Sequence, residues 1–325
     1  MKPTSYLSAL FRPSAPPAGE RPPCDFDLIS RYFYNCPAED TCHTIDAETT
    51  ADLDLNAVFE RIDRTTSKVG QQCLYARMRT LRGEEDAAAF GRSTDCFSRN
   101  GELAASCTKS LSRLTDEDAY GLQSLIFDTP AKVRYFAWVY PLTLLAVATL
   151  LAAPFYPLSL LLFMAIFAVN LYIHYSNKLN VSLYGSAVKQ LSLALRTARE
   201  LAVEEVPGTE EATGQIRQVA EVERRSRVVG TQGDSANELA AIAWLFIELA
   251  KVAFNIEVIL FQRFIGSITA RRDAIHGMFR FIGETDAAIS VARLRSETQT
   301  CRPQFVDGKY LKAEQVVHPL IDCCV

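Results

Sequence analysis

The most continuous apolar stretch of the chain covers residues 135–173, 39 positions without any Asp, Glu, Lys, Arg or His. Pro154 and Pro157 interrupt its middle, and because proline does not fit inside a regular helix, the pattern predicts two helical arms, 135–152 and 158–173, joined by a turn. The longer arm would measure about 27 Å, close to the hydrocarbon thickness of a bilayer, about 30 Å. The pattern therefore predicts a transmembrane helical hairpin.

The residues at the open ends of the two arms fit a membrane interface. Tyr135, Trp138 and Tyr172 are aromatic, and Arg134 and Lys178 place positive charge on both flanks. Aromatic rings settle at the headgroup level and basic flanks stay in the cytoplasm, so we expect both ends of the hairpin to face the cytoplasm. The alternative is a buried hairpin in a large soluble core, but such helices usually keep a polar stripe that these arms lack.

The remaining pattern is helical, and it predicts an all-α fold. Apolar positions recur at helical spacing in 55–62, 69–78 and 270–298, and residues 182–204 continue the second arm as one long helix. We interpret 239–265 as a helix largely buried in a bundle, with a third membrane segment as the less favoured alternative. Asp52 and Asp54 are expected to begin the first of these helices, since carboxylates favour a helix N-terminus.

Composition excludes several classes of protein. The formal net charge is −4, which gives no general attraction for nucleic acid. The proline-rich lead cannot form a continuous helix, and the N-terminus lacks the basic-then-apolar pattern of a signal peptide. Cys24, Cys36, Cys42 and His43 contain no C-x-x-C pair, so we expect no metal site. The histidines are isolated along the sequence, and the carboxylate clusters lie where helices are expected to begin, which explains them as helix caps. We therefore assign no catalytic residue.

Residues 51–79 resemble the start of the core, or lever, domain of the MutS family of DNA mismatch-repair ATPases. The family pattern is Asp/Asn-x-Thr, then Thr or Ser, Gly, and Leu-x-x-x-Leu/Met-Arg, and it is carried here by Asp63, Thr65, Ser67, Gly70 and Leu74. Gly70 also has a physical reading, because a glycine within a helix permits a second helix to approach closely. The next family helices contain an Arg-x-x-Asp pattern, which Arg92 and Asp95 match.

The resemblance resumes about 220 residues later in the chain. The segment from Phe281 to Ala292 is similar to the returning lever helix, and Asp286 and Ser290 occupy its motif positions. Arg302 and Pro303 then match an Arg-Pro-x-Phe pattern, and His318 and Pro319 match the strand that opens the ATPase domain. These structural family-motif residues are the site residues that we assign beside the membrane hairpin residues Tyr135, Trp138, Pro154, Pro157 and Tyr172.

The resemblance implies a long-helix lever/core bundle of MutS type with the apolar transmembrane hairpin inserted into it. We expect the following organisation: a proline-rich, mostly flexible lead in 1–44, the first core helices in 45–130, the hairpin in 131–178, a long helix and charged loop in 179–238, the returning lever helices in 239–300, and the start of a truncated ATPase domain in 301–325. The hairpin then occupies the place of the family's DNA-gripping clamp, and the mismatch-reading domain is absent.

The sequence contains no Gly-x-x-x-x-Gly-Lys-Ser/Thr motif, so we expect this chain to neither bind nor hydrolyse ATP. No cofactor is expected in the chain, and ATP and Mg are expected only for a following ATPase domain. We interpret the chain as a fragment of a longer MutS-like ATPase, with a truncated product as the alternative.

The function expected from the resemblance is a non-catalytic lever segment that relays the nucleotide state of the ATPase domain. Expected partners are the lipid bilayer, the protein's own missing ATPase domain and a second copy in a homodimer. Whether DNA is a further partner is left open by the sequence. The expected location is the bacterial inner (cytoplasmic) membrane with both termini cytoplasmic, and the alternative is the cytoplasm. Two other functions are a soluble DNA-binding repair protein with a modified clamp, and a membrane scaffold without ATPase activity.

Overall fold

The computed structural model describes residues 24–36, 41–129, 133–226, 238–304, 310–314 and 316–321, with only the backbone described in 179–188, 225–226 and 238–245. Within these ranges the chain is mostly helical, which confirms the all-α prediction. Two strands of two residues each, β1 (His43–Thr44) and β2 (Thr80–Leu81), pair antiparallel. That the helices form a bundle of the MutS type stays a prediction.

The described helices, in chain order, are α1 (Phe26–Ile29), α2 (Arg31–Asn35), α3 (Ala47–Asp52), α4 (Leu55–Ile62), α5 (Lys68–Arg79), α6 (Glu84–Arg99), α7 (Gly101–Leu111), α8 (Leu122–Phe127), α9 (Phe136–Ala152), α10 (Ser159–Val203), α11 (Thr209–Ser226), α12 (Glu238–Ala253), α13 (Ile256–Thr269) and α14 (Arg272–Glu297). Two 3-10 turns, Ser112–Leu114 and Glu117–Gly121, connect α7 to α8.

Helix α14 lies at the centre of the bundle and packs against α5, α6, α10 and α11. Its residues are buried on nearly every side between Ala274 and Ala292. Small residues make this close packing feasible: a Cβ added to Gly283 would lie 2.1 Å from the Cys73 sulfur of α5, and a Cβ on Gly70 would lie 2.1 Å from Asp286. The close approach predicted for Gly70 is thus confirmed, and its partner helix is α14.

The segment 24–36 of the lead forms α1 and α2 and packs on α5. Ile29 and Tyr32 are buried, and Arg79 at the end of α5 is buried beneath the Phe33 ring, 4.0 Å from its centroid. The Arg79 guanidinium donates to the Ile45 carbonyl at 2.9 Å. A buried cation held by a ring and a carbonyl therefore attaches this segment to the core. Residues 1–23 lie outside the described residues.

The two predicted arms are helices. Helix α9 forms the first, residues 153–158 turn the chain, and α10 forms the second before it continues without a break to Val203. The prediction that the second arm extends as one long helix is confirmed. At 45 residues, α10 is about 67 Å long, and its second half buries Leu191, Leu195 and Ala198 in the main core.

The prediction of one continuous, largely buried helix over 239–265 is wrong. The chain bends by 65° between α12 and α13, because Asn255 adopts a left-handed conformation with φ of 51°. Leu249 and Ile256, predicted to be buried, are exposed. Apolar periodicity alone did not reveal the break, since residues on both sides of it keep helical spacing.

Two further expectations differ locally from the structure. Asp54 precedes α4 in a left-handed conformation and its side chain does not cap the helix, and Asp52 closes α3. The side chain of Asp46 caps α3 instead, accepting from Thr49 N at 2.7 Å. No strand forms in the described part of the expected strand opening, where 316–321 ends in a turn around His318 and Pro319.

Candidate functional site: the junction between helices α5 and α14

The loop between α4 and α5 is held by the first motif carboxylate. Asp63 Oδ1 accepts hydrogen bonds from Thr65 N at 2.8 Å and Thr65 Oγ1 at 2.6 Å, and Oδ2 accepts from Gln71 Nε2 at 2.8 Å. An aspartate that bonds its own backbone two residues on makes a stable turn. The Asp-x-Thr spacing thus ends α4 and aims the following backbone N–H groups at α14.

Those N–H groups meet the Asp286 carboxylate of α14. Asp286 Oδ2 accepts from Ser67 N and from Ser67 Oγ, both at 2.6 Å, and Oδ1 accepts from Thr66 N at 3.0 Å. Ser67 is also the N-cap of α5, because its Oγ accepts from Gly70 N at 2.9 Å. The serine hydroxyl therefore joins the start of one helix to the middle of another.

Asp286 is fully buried, and two opposing effects act on the pKa of its carboxyl group. Burial raises the pKa of the Asp286 carboxyl from its ordinary 3.8 to about 6, although the hydrogen bonds from Ser67 and Thr66 lower it. The N-terminal dipole of α5 favours the ionised form as well. Gly70 is the residue that lets this carboxylate reach the helix, since any side chain there would occupy its space.

A second set of contacts extends the junction along α14. Ser290 Oγ accepts from Arg64 N at 2.8 Å. The Arg293 guanidinium donates to Arg64 O at 3.3 Å and to Thr108 Oγ1 at 2.5 Å, which brings α7 to the same place. The structure thus brings together five of the assigned residues, namely Asp63, Thr65, Ser67, Asp286 and Ser290, with Gly70 at their edge.

Asp95 lies apart from this junction, near the end of α14. It pairs with Arg302, and Arg295 approaches it at 3.7 Å. Arg302 also donates to Gly91 O at 3.2 Å. Arg92, the other residue of the Arg-x-x-Asp motif, is exposed, and the partners of Asp95 are arginines far along the chain.

The other motif residues have structural or exposed positions. Leu74 is buried beside Phe59. Pro303 and Pro319 are exposed, and His318 accepts a hydrogen bond at Nδ1 from Leu320 N at 3.3 Å. These residues therefore form no site with the α5–α14 junction.

The apolar helix pair, α9 together with Ser159–Lys178 of α10, is a second candidate surface. Trp138 has 64% of its surface exposed, Pro154 and Pro157 lie exposed in the turn, and Tyr135 approaches Tyr172 with their hydroxyl oxygens 3.4 Å apart. Among the described residues, Ser159–Lys178 is the single helix that is long and apolar enough by itself to cross a membrane.

Several residues that matter here were not among those that the sequence singled out. Asn177 closes the open end of the helix pair, accepting from Arg134 N at 2.9 Å and donating to Arg134 O at 3.2 Å. Arg64 and Arg293 resemble ordinary surface arginines in sequence. Only a polar residue in an apolar helix face, such as Asn177, gives a hint that a partner must exist.

His276 of α14 contacts the segment 24–36. His276 on α14 has its Nε2 3.1 Å from the Tyr32 hydroxyl, and burial lowers the pKa of its imidazole to about 4. It is therefore a neutral packing residue. No group of three or more His, Cys, Asp or Glu side chains suited to a metal ion occurs in the part of the chain that the structure describes.

No family model, no curated protein and no solved structure matches this chain.

Proposed function

We propose that this chain is the non-catalytic lever core of a membrane-anchored, MutS-like protein. In this role it relays the conformational state of a following ATPase domain to the membrane through rigid helices. The observation that carries the proposal is the single helix α10, whose first half presents apolar residues to the surroundings and whose second half is built into the core. A displacement of the core must therefore move the membrane end.

The α5–α14 junction supports the core half of the proposal. Residues that resemble the MutS lever motifs come from two segments more than 200 positions apart. They meet in one hydrogen-bonded cluster around Asp286. Buried, fully bonded polar clusters fix one arrangement of the helices around them. Such a cluster suits an element that must move as a body.

The exposed surface of the helix pair supports the membrane half. Leu144 and Leu161 are 71% and 68% exposed, an arrangement that is unfavourable in water over a continuous surface and favourable in hydrocarbon. The basic Arg134 and Lys178 at its open end are exposed and suit a cytoplasmic headgroup layer. The proposed location is the bacterial inner membrane with both termini cytoplasmic.

The experiment measures the stiffness of α10 with spin labels on genetically encoded side chains at Val169 and Val203, in the protein reconstituted into vesicles. Both positions are exposed. A rigid helix gives one narrow distance distribution near 50 Å, from 34 residues at about 1.5 Å each. A broad distribution, or a centre below 40 Å, contradicts a relay through α10.

Nucleotide binding separates this proposal from an active ATPase. The chain has no phosphate-binding Gly-Lys-Ser/Thr motif, so calorimetry with ATP and Mg is expected to give no heat of binding. Stoichiometric binding of ATP by the chain contradicts the non-catalytic role. Retention of mismatched duplex at physiological salt by vesicle-free protein would instead favour the soluble repair protein.

A further inference from the structure

The break between α12 and α13 is attached to the middle of the apolar helix pair by two side chains. Asn170 Nδ2 donates to Ala253 O at 2.7 Å, and Thr143 Oγ1 donates to Phe254 O at 3.1 Å. These carbonyls are the ones that a helix leaves without partners at its end. Side chains of α9 and α10 thus donate to two backbone carbonyls at the end of a third element.

The two donors set the depth of the break. Thr143 lies eight residues after Tyr135, and Asn170 lies eight residues before Lys178, so both are about 12 Å from the open end of the helix pair. Wherever the helix pair is inserted, the break is inserted equally far. Irregular backbone is tolerated at membrane depth where it is buried in protein, and Asn255 is 1% exposed.

The charged residues next to the break pair with one another. Lys251 Nζ lies 2.6 Å from Glu248 Oε1 and 3.8 Å from Glu257 Oε1, and His174 of α10 lies 3.6 Å from Glu257. Ionisable groups in membrane proteins face the protein interior and find partners in this way. Meanwhile the neighbouring apolar residues Phe246 and Ile247 are exposed, at 67% and 55%.

The described helices before and after this element both pack in the main core. Helix α11 buries Val219 there, and α13 buries Phe264 and Ile268 in that core. Helix α13 therefore runs from the break at Asn255 back into the main core. Phe246–Ala253 and Ile256–Thr269 together have the apolar character of a membrane segment, bent by 65°.

We infer that α12 and the start of α13 form a re-entrant membrane element. It enters the bilayer from the core side beside the helix pair, exposes Phe246 and Ile247 to acyl chains, and returns through the break at Asn255. This inference rests on the proposed membrane anchoring. The occupant of this surface is lipid, because the exposed apolar residues adjoin a break that Thr143 and Asn170 hold against the middle of the helix pair.

The test uses tryptophan quenching by lipids with brominated acyl chains. Both native tryptophans, Trp138 and Trp244, are replaced by Phe, and the reporter is introduced as Phe246→Trp or, for the matched control, as Val203→Trp, which is 82% exposed on the core end of α10. A third protein carries only Trp244→Phe and reports from Trp138 on α9.

We expect the Phe246→Trp reporter and Trp138 each to be quenched at least threefold more than the Val203→Trp reporter. If Trp138 is quenched and the Phe246→Trp reporter equals the control, the re-entrant element is refuted while the anchoring stands. If neither is quenched, the membrane anchoring itself fails. Adding Asn170→Leu should lower the Phe246→Trp quenching at least twofold with unchanged helicity, and undiminished quenching contradicts the docking role of Asn170.

Discussion

The Ser67 hydroxyl donates a 2.6 Å hydrogen bond to the Asp286 carboxylate across 219 positions of sequence. Ser67 begins α5 and Asp286 lies in the middle of α14, so this bond joins two helices that also meet through apolar packing and through the ion pair between Arg77 and Glu284 at 2.8 Å. Because the Asp286 carboxylate also accepts from two backbone N–H groups, its loss would leave three donors without a partner, two of them buried.

The Gly70→Ala substitution should destabilise the protein by about 1–3 kcal/mol, because the added methyl would lie 2.1 Å from Asp286 Oδ2 in a packed core. The control is Gly214→Ala, whose methyl meets no atom within 4 Å in the exposed face of α11. It should stabilise by about 0.5–1 kcal/mol, the usual gain of Ala over Gly in a helix. Denaturant unfolding in detergent micelles measures both, and equal effects would contradict the close approach of α5 to α14.

The Asp286→Asn substitution should change how stability depends on pH. The native pKa of Asp286, about 6, lies above the ordinary 3.8, so the native state binds more protons in this window and stability falls as pH rises through it. A shift of this size corresponds to about 3 kcal/mol at most. The Asn variant lacks this contribution, and its stability relative to the native protein should increase from pH 4 to pH 6.

His276 contributes a slope of the opposite sign. Its native pKa of about 4 lies below the ordinary 6.5, so the unfolded state binds more protons and stability rises as pH increases between these values. The His276→Gln control lacks this contribution. Its stability relative to the native protein should therefore fall as pH rises, opposite to that of Asp286→Asn. Parallel unfolding profiles for the native protein and the two variants between pH 4 and pH 6 would refute both assignments.

The Asn177→Ala substitution should loosen the open end of the helix pair. It removes the partners of Arg134 N and Arg134 O together, at a residue with no exposed surface, and we expect a loss of about 1–3 kcal/mol. The neighbouring Lys178→Ala is the control, because its exposed charge should matter by less than about 0.5 kcal/mol. Hydrogen exchange of the first turn of α9 should rise in the first variant and stay unchanged in the second.

Sequence periodicity predicted the elements of the fold well and their connections poorly. The two arms, the long extension to Val203 and the last helix follow from apolar spacing and from prolines. The left-handed Asn255 could not be predicted, because the carbonyls of the break accept hydrogen bonds from Thr143 and Asn170, more than 80 residues away.

The sequence indicated which residues belong to the candidate site, but it did not indicate which of them contact one another. Ser67, Gly70 and Asp286 were singled out by resemblance, and only Gly70 carried a physical reason, a close approach by an unnamed helix. Tertiary structure likewise decides that Asp95 pairs with Arg302 and not with Arg92. An ion pair between residues three positions apart on one exposed helix face stabilises the helix by only about 0.2–0.5 kcal/mol.

The central claim, a lever core anchored by the apolar helix pair, is tested most directly by carbonate extraction of membranes. The native protein should stay in the pellet. The double variant Leu144→Lys/Met164→Lys, at exposed positions on the two helices of the pair, should move to the supernatant, since each lysine opposes insertion by about 2.5–3.5 kcal/mol. The matched variant Leu53→Lys/Val203→Lys, at exposed apolar positions of the core, should stay in the pellet. Native protein released by carbonate, or two variants that behave alike, would contradict the account.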